Sequence, residues 1–165
     1  MKGLIAGLGV LLVLGVGFFL YSSPTAPSAE MTEAEKVELV SSATQAAAEA
    51  IAAFDAEDVS YFSYYSDWAD YPATSYPPLS EMPDRLQTSW WDRYEDRSSV
   101  MGEVKGLVLG PNAVVLERID TSTVTDSDGT RLAQSWVGRQ LWFREEGEWK
   151  ILFEGFQMLS SEAIQ

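Results

Sequence analysis

Residues 141–151 read Leu-Trp-Phe-Arg-Glu-Glu-Gly-Glu-Trp-Lys-Ile. Two apolar, aromatic runs flank Glu145-Glu146-Gly147-Glu148, whose composition is that of a tight reversal between strands. Working backwards, the same alternation of run and turn recurs. Val100–Leu109, Ala113–Thr125, Arg131–Arg144 and Trp149–Leu159 are strand candidates, separated by Gly110-Pro111-Asn112, Asp126-Ser127-Asp128-Gly129 and the 145–148 turn. Long strands on short loops predict an antiparallel meander.

Ahead of the strands the character is helical. Thr32-x-x-Glu35 is a capping box, and Val37, Val40, Ala47, Ile51 and Phe54 then recur at threes and fours. The Ala-rich segment from Ala43 to Ala53 favours helix and lets another layer come close. A shorter helix is expected from Val59 to about Asp67, with Val59, Phe62 and Tyr65 on one side. Pro72, Pro77 and Pro78 make the next stretch a loop. A third helix, capped by Ser80 and running to about Glu95, would carry Met82, Leu86, Trp90 and Tyr94 on its inner face. Helices first and a meander afterwards predict an α+β fold in which about three helices cover one face of a curved sheet.

The N-terminus reads differently. Gly3 to Tyr21 is nineteen residues without a charge, about 28 Å as a helix and close to bilayer thickness. Lys2 precedes it, and none of the 25 acidic residues comes before Glu30. The positive-inside rule therefore places everything after Tyr21 across the membrane. Residues 1–21 are an uncleaved signal-anchor or a cleaved signal peptide, with a buried core helix as the third reading. Residues 22–29 form a Ser/Pro/Ala linker and 30–165 one domain. The expected location is the inner membrane with the domain outside the cytoplasm, or the periplasm or exterior if the segment is cleaved.

Composition narrows the chemistry. The chain of 165 residues has no His and no Cys, and 11 basic against 25 acidic residues give a net charge of −14. No thiolate nucleophile or disulfide can form, and the commonest general base and zinc ligand are missing. The acidic surplus argues against nucleic acid as a partner. Asp126-Ser127-Asp128-Gly129 has the look of a calcium loop, but Gly129 falls at position four and Val137 at position twelve, so the segment is a hairpin turn. No metal and no cofactor are expected.

Leu109-Gly110-Pro111-Asn112-Ala113-Val114-Val115, Asp128-Gly129 and the 141–151 hairpin, with Phe54-Asp55-Ala56-Glu57-Asp58-Val59 upstream, together resemble the nuclear-transport-factor-2-like superfamily, which includes SnoaL-like and ketosteroid-isomerase-like proteins. The resemblance covers nearly all of residues 32–159. It implies a cone: a strongly curved antiparallel sheet wrapped on helices, with a pocket inside. The scaffold hosts isomerases, cyclases, dehydratases and non-catalytic modules, so it does not select a reaction. Many relatives follow the final Trp-Lys-Ile with two alternate histidines; Phe153 and Gly155 stand there instead, which argues against an enzyme.

If Trp149, Ile151, Phe153, Gly155 and Gln157 share the concave face, the facing residues on the preceding strand are Trp136, Gln140 and Trp142, or else Val137, Arg139 and Leu141. The resemblance favours the first set. Gln140 and Gln157 would then orient a ligand in a cavity otherwise apolar, or the aromatics would simply fill the core. Tyr61, Tyr64, Tyr65, Asp67, Trp68, Asp70 and Tyr71 form an aromatic-carboxylate cluster, and a carboxylate against rings has a raised pKa. Asp67 with Tyr65 is the one catalytic pair on offer; the plainer reading has Asp67 ending the helix in water. Trp90 and Trp91 cannot both face the core. The reading reached is a membrane-tethered domain that binds a small apolar or amphipathic molecule, or a protein partner, without catalysis. Tyr65, Trp68, Trp90, Trp136, Gln140, Phe153 and Gln157 are its expected ligand-binding residues. The alternative is an isomerase/dehydratase-type enzyme using Asp67 and Tyr65. A homodimer through the outer sheet face is the expected self-association.

Overall fold

The computed structural model describes residues 30–66, 84 and 86–164. The expected membrane segment, the linker, the proline loop, Asp67, Trp68, Asp70 and Met82 lie outside them. Among the described residues no helix is long and apolar enough to cross a membrane.

Helix α1 spans Glu33–Asp55 and opens on the capping box: Glu35 N–H donates to Thr32 Oγ1 at 3.2 Å and Thr32 N–H to Glu35 Oε2 at 2.7 Å. Four antiparallel strands follow in sequence order, β1 Tyr94–Gly110, β2 Ala113–Asp126, β3 Arg131–Glu145 and β4 Glu148–Ala163. The meander is as expected, with every strand longer than its apolar pattern. The Glu145–Glu148 reversal uses Gly147 at φ 92°, a conformation open to glycine.

Small residues bring helix and sheet together. Ala43, Ala47 and Ala50 are buried in α1, while Val37, expected on the inner face, is 67% exposed. Opposite the alanines, Val114, Leu116, Trp142 and Ile151 have no exposed surface. Full burial of side chains this size is worth about 1.5–3 kcal/mol each. The approach is close: a Cβ on Gly106 of β1 would lie 2.4 Å from Val40 Cγ1.

The expectation of about three helices is corrected in two places. The second element is a 3-10 helix, Val59–Tyr64, capped by Asp58 Oδ1 accepting from Ser60 N–H at 2.8 Å. It stops before Asp67 because Tyr65 pairs in parallel with Ile151 and Ser66 N–H donates to Ile151 O at 2.9 Å, tying the chain to the edge of β4. The third, helical at Asp84 and Leu86, ends short of Glu95 in a π-helical turn, Gln87–Trp91, closed by Asp92 N–H on Gln87 O at 2.7 Å. The chain then enters β1 at Tyr94, and the Arg97 guanidinium collects the carbonyls of Trp90, Trp91 and Tyr94 at the end of this turn.

The faces of the last two strands are also partly corrected. Trp136, Gln140 and Trp142 do share the inner face of β3. On β4, however, Trp142 pairs with Ile151 and Leu141 with Phe153, so Leu152 is an extra residue. Such a bulge reverses the in-out alternation. Beyond it Phe153, Gly155 and Gln157 leave the concave face, and Glu154, Phe156 and Met158 take their places, paired with Gln140, Gly138 and Trp136.

Candidate functional site

Between α1 and the concave face lies a cavity of about 300 Å³. Its walls are largely apolar and aromatic: Phe54 from α1, Trp90 from the π-turn, Trp136 from β3 and Phe156 from β4. Trp90 packs edge-on to Trp136 with ring centroids 5.7 Å apart. Its neighbour Trp91 is buried and donates its indole N–H to Phe54 O at 3.2 Å, so the two tryptophans divide as their helical spacing requires. Phe156 lies against the bare Cα of Gly138, where a Cβ would meet its ring at 2.5 Å, and under the Arg118 guanidinium.

A continuous polar chain crosses one wall. Arg118 and the Trp142 indole both donate to Gln140 Oε1, the second at 3.1 Å. Neither group can accept a hydrogen bond, so they fix which way the Gln140 amide faces. Its Nε2 therefore points at Glu154 and donates to Oε2 at 2.9 Å. The other carboxylate oxygen accepts from the Tyr65 hydroxyl, which in turn stands 2.8 Å from the Tyr61 hydroxyl. With Tyr65 donating to the carboxylate, Tyr61 donates to Tyr65. Arg118 completes the chain through Nε, which donates to Asp120 Oδ2 at 2.7 Å.

This setting perturbs the titrating groups. Burial raises the Glu154 carboxyl above its ordinary value, against the opposing pull of the Tyr65 and Gln140 hydrogen bonds and the Arg118 charge. Burial, then the neighbouring Tyr61 and Glu154, holds Tyr65 well above the usual tyrosine range; burial and the Glu154 charge do the same for Tyr61. Both phenols are therefore donors at neutral pH. A carboxylate moved toward neutrality, held by two donors in a largely apolar cavity, is suited to taking and returning a proton. Among the described residues no group of three acidic, His or Cys side chains is placed to hold a metal ion.

Of the ligand-binding residues expected from sequence, Tyr65, Trp90, Trp136 and Gln140 line this cavity. Phe153 and Gln157 do not; the bulge at Leu152 turns them out, and Phe153 is 53% exposed. Trp68 and the catalytic candidate Asp67 lie outside the described residues. Glu154, Arg118, Asp120 and Ser122 were not singled out by sequence, whereas Tyr61, a member of the aromatic-carboxylate cluster, does line the cavity. On β2 the two alternating sets are nearly equal in hydrophobicity. Val115, Glu117, Ile119 and Thr121 hold one charge against two in Leu116, Arg118, Asp120 and Ser122, so pattern alone buries the wrong set.

No known family profile matches the sequence, and no curated protein is similar to it in sequence. Solved structures are similar in fold. A hexachlorocyclohexane dehydrochlorinase (LinA-type3) from Novosphingobium barchaimii LL02 superposes with a TM-score of 0.68 at 11% identity, over 81% of this chain and 94% of that one. A nuclear-transport-factor-2-like superfamily protein from Salmonella enterica serovar Typhimurium LT2 gives 0.63 at 16% identity, over 79% and 94%. The association domain of C. elegans CaMKII gives 0.60 at 11%, over 76% and 98%. The fold is thus that of nuclear-transport-factor-2-like proteins, as the sequence resemblance implied.

Proposed function

We propose that this nuclear-transport-factor-2-like domain is a small acid–base enzyme that takes a proton from a largely apolar substrate held in the cavity, in an isomerisation or elimination. One fold serves a dehydrochlorinase and an association domain, so the cavity must make the choice. The observation that carries the reading is Glu154, half-buried in the cavity wall and held by Tyr65 and Gln140, with its pKa raised by burial. Missing histidines at Phe153 and Gly155 argue against catalysis only while those positions are taken as the pocket wall. The bulge exchanges them for a carboxylate. Glu154 is the proposed base; Tyr65, Tyr61 and Gln140 position it, and Gln140 links it to the Arg118 charge.

The test is proton exchange at carbon. A panel of cyclic ketones is incubated with the protein in deuterated water and followed by proton NMR. Wild-type protein is expected to speed exchange beside the carbonyl of at least one ketone, and Glu154→Gln to abolish it. Exchange no faster than buffer across the panel, or undiminished in the variant, would refute the proposal.

The domain's location is proposed from residues 3–21, whose uncharged run is long enough to hold it at a membrane with the cavity on the far side. Alkaline extraction of membranes checks this, the expected outcome being retention in the pellet. Self-association is proposed through the outer sheet face, where Ile119, Phe143 and Phe153 are 43%, 38% and 53% exposed. Sedimentation that finds monomer alone would exclude it.

A further inference from the structure

The cavity has a second polar pole that proton transfer at Glu154 does not use. Asp120 and Ser122 follow Arg118 along the same face of β2, and both line the cavity. Trp136 pairs with Asp120 across the strands, and Trp90 packs edge-on against Trp136. Among the described residues that line the cavity, Asp120 Oδ1, Ser122 Oγ, Trp90 Nε1 and Arg97 Nε are buried atoms without a hydrogen-bond partner. Native proteins leave few such atoms unmatched, because desolvation is then uncompensated. Four on residues that line one cavity call for a ligand group, and Asp120 Oδ1 with Trp90 Nε1 gives it both an acceptor and a donor.

Their characters say which group. Asp120 Oδ1 lies on a carboxylate whose other oxygen is already paired with Arg118, and Trp90 Nε1 can only donate. A hydroxyl donates and accepts at once. An ammonium could not accept from the indole. An anion would face the Asp120 carboxylate; Arg118 is engaged by Asp120, and Arg97 keeps only its Nε unmatched, its terminal nitrogens being held by Glu57 and three carbonyls. The surrounding rings of Phe54, Trp136 and Phe156 suit a flat apolar body.

We infer that the substrate is a neutral ring compound carrying an alcohol or phenol hydroxyl, which donates to Asp120 Oδ1 and accepts from Trp90 Nε1. The assignment rests on the cavity being the substrate site, as proposed above. Its test reads binding and not turnover, so the two can fail separately.

The probes are 2-naphthol and 2-methoxynaphthalene, which share a bicyclic ring; the ether accepts but cannot donate. Each is titrated calorimetrically into the full-length protein near neutral pH. Wild-type protein is expected to favour the naphthol by about tenfold or more, the size of a buried hydrogen bond to a charged group. Asp120→Asn should reverse the polarity of the site. Arg118 Nε can only donate, so the new amide keeps its oxygen on Arg118 and sets its NH₂ where the unpartnered Oδ1 stood. The naphthol preference then falls to about one or inverts, a change that loose packing would not produce. Trp90→Phe leaves the Arg118–Asp120 pair alone and should weaken both probes by a similar factor. Equal affinities in the wild type, an unchanged naphthol preference in Asp120→Asn, or no binding of either probe overturns the assignment. Glu154-dependent exchange in the same preparation would leave the proton-transfer reading standing.

Discussion

Gln140 offers the sharpest test of the polar chain, because its amide is held by groups that cannot reverse. It is 3% exposed, and replacing it with Leu keeps the volume while removing both ends of the amide. The Trp142 indole N–H, in a residue with no exposed surface, loses its acceptor, and one Arg118 N–H loses the same oxygen. Each unmatched donor costs about 1–3 kcal/mol. The Arg118 loss is softened because its Nε still pairs with Asp120 at 2.7 Å and the guanidinium borders the cavity. Gln140→Leu should therefore destabilise by about 2–4 kcal/mol, a large share of the ~5–15 kcal/mol of a typical domain. Urea unfolding followed by tryptophan fluorescence reads this as a lower midpoint at constant slope. Gln140→Glu separates the two ends. It keeps the acceptor for Arg118 and Trp142 but sets a second carboxylate where the amide donated to Glu154 at 2.9 Å. The two carboxylates then share a proton, and their folded-state affinity for it rises above that of the unfolded chain. Stability from that proton is present at low pH and lost as pH rises through the raised folded value. The variant should resemble wild type at acid pH, where the shared proton is bound, and fall below it as pH rises through the raised folded value. A Leu variant within about 0.5 kcal/mol of wild type, or a Glu variant with the wild-type pH profile, would refute the assigned direction of the amide.

Three further outcomes follow from the same geometry. Gly106→Ala sets a methyl 2.4 Å from Val40 Cγ1 and should destabilise by about 1–3 kcal/mol; adding Val40→Ala should recover part of that, and a strictly additive double-mutant cycle would remove the contact from the account. The raised pKa of Glu154 means that its contribution to stability is complete below the unfolded value of 4.5 and declines as pH climbs through the folded one; Glu154→Gln should flatten urea midpoints over that interval, and an unaltered slope would contradict the burial argument. Thr32→Ala removes the side-chain half of the capping box and should cost about 0.5–2 kcal/mol in a thermal or urea melt, with no effect expected on probe binding.

The meander was legible because each reversal carries its own chemistry, and an error of a residue or two in a strand end does not change which strands are neighbours. Helix α1 was legible for the same local reason, in its capping box and alanines. The third helix was misread at Tyr94, which continues the i+4 series; the residue that ends it, Arg97, acts only once its guanidinium has folded back onto three carbonyls. Gln140, Trp136, Trp90 and Tyr65 were found because large or amphipathic side chains near the expected pocket stand out in any register. Glu154 was passed over because regular alternation from Trp149 places it outside.

By itself, then, the sequence determined the order of elements, the antiparallel pairing, the capped helix and the acidic, His-free and Cys-free chemistry available to any site. These depend on local turn propensity, periodicity and composition, which act over a few residues. The identity of the cavity's polar groups was decided by the tertiary structure. One extra residue at Leu152 turns the rest of β4 over, and the burial of the Arg118 face of β2 is settled by packing against α1. A single-residue shift has almost no cost in local propensity and reverses every side chain beyond it. The absence of histidine remains a fact of composition, whereas the presence of a carboxylate in its place is a fact of register.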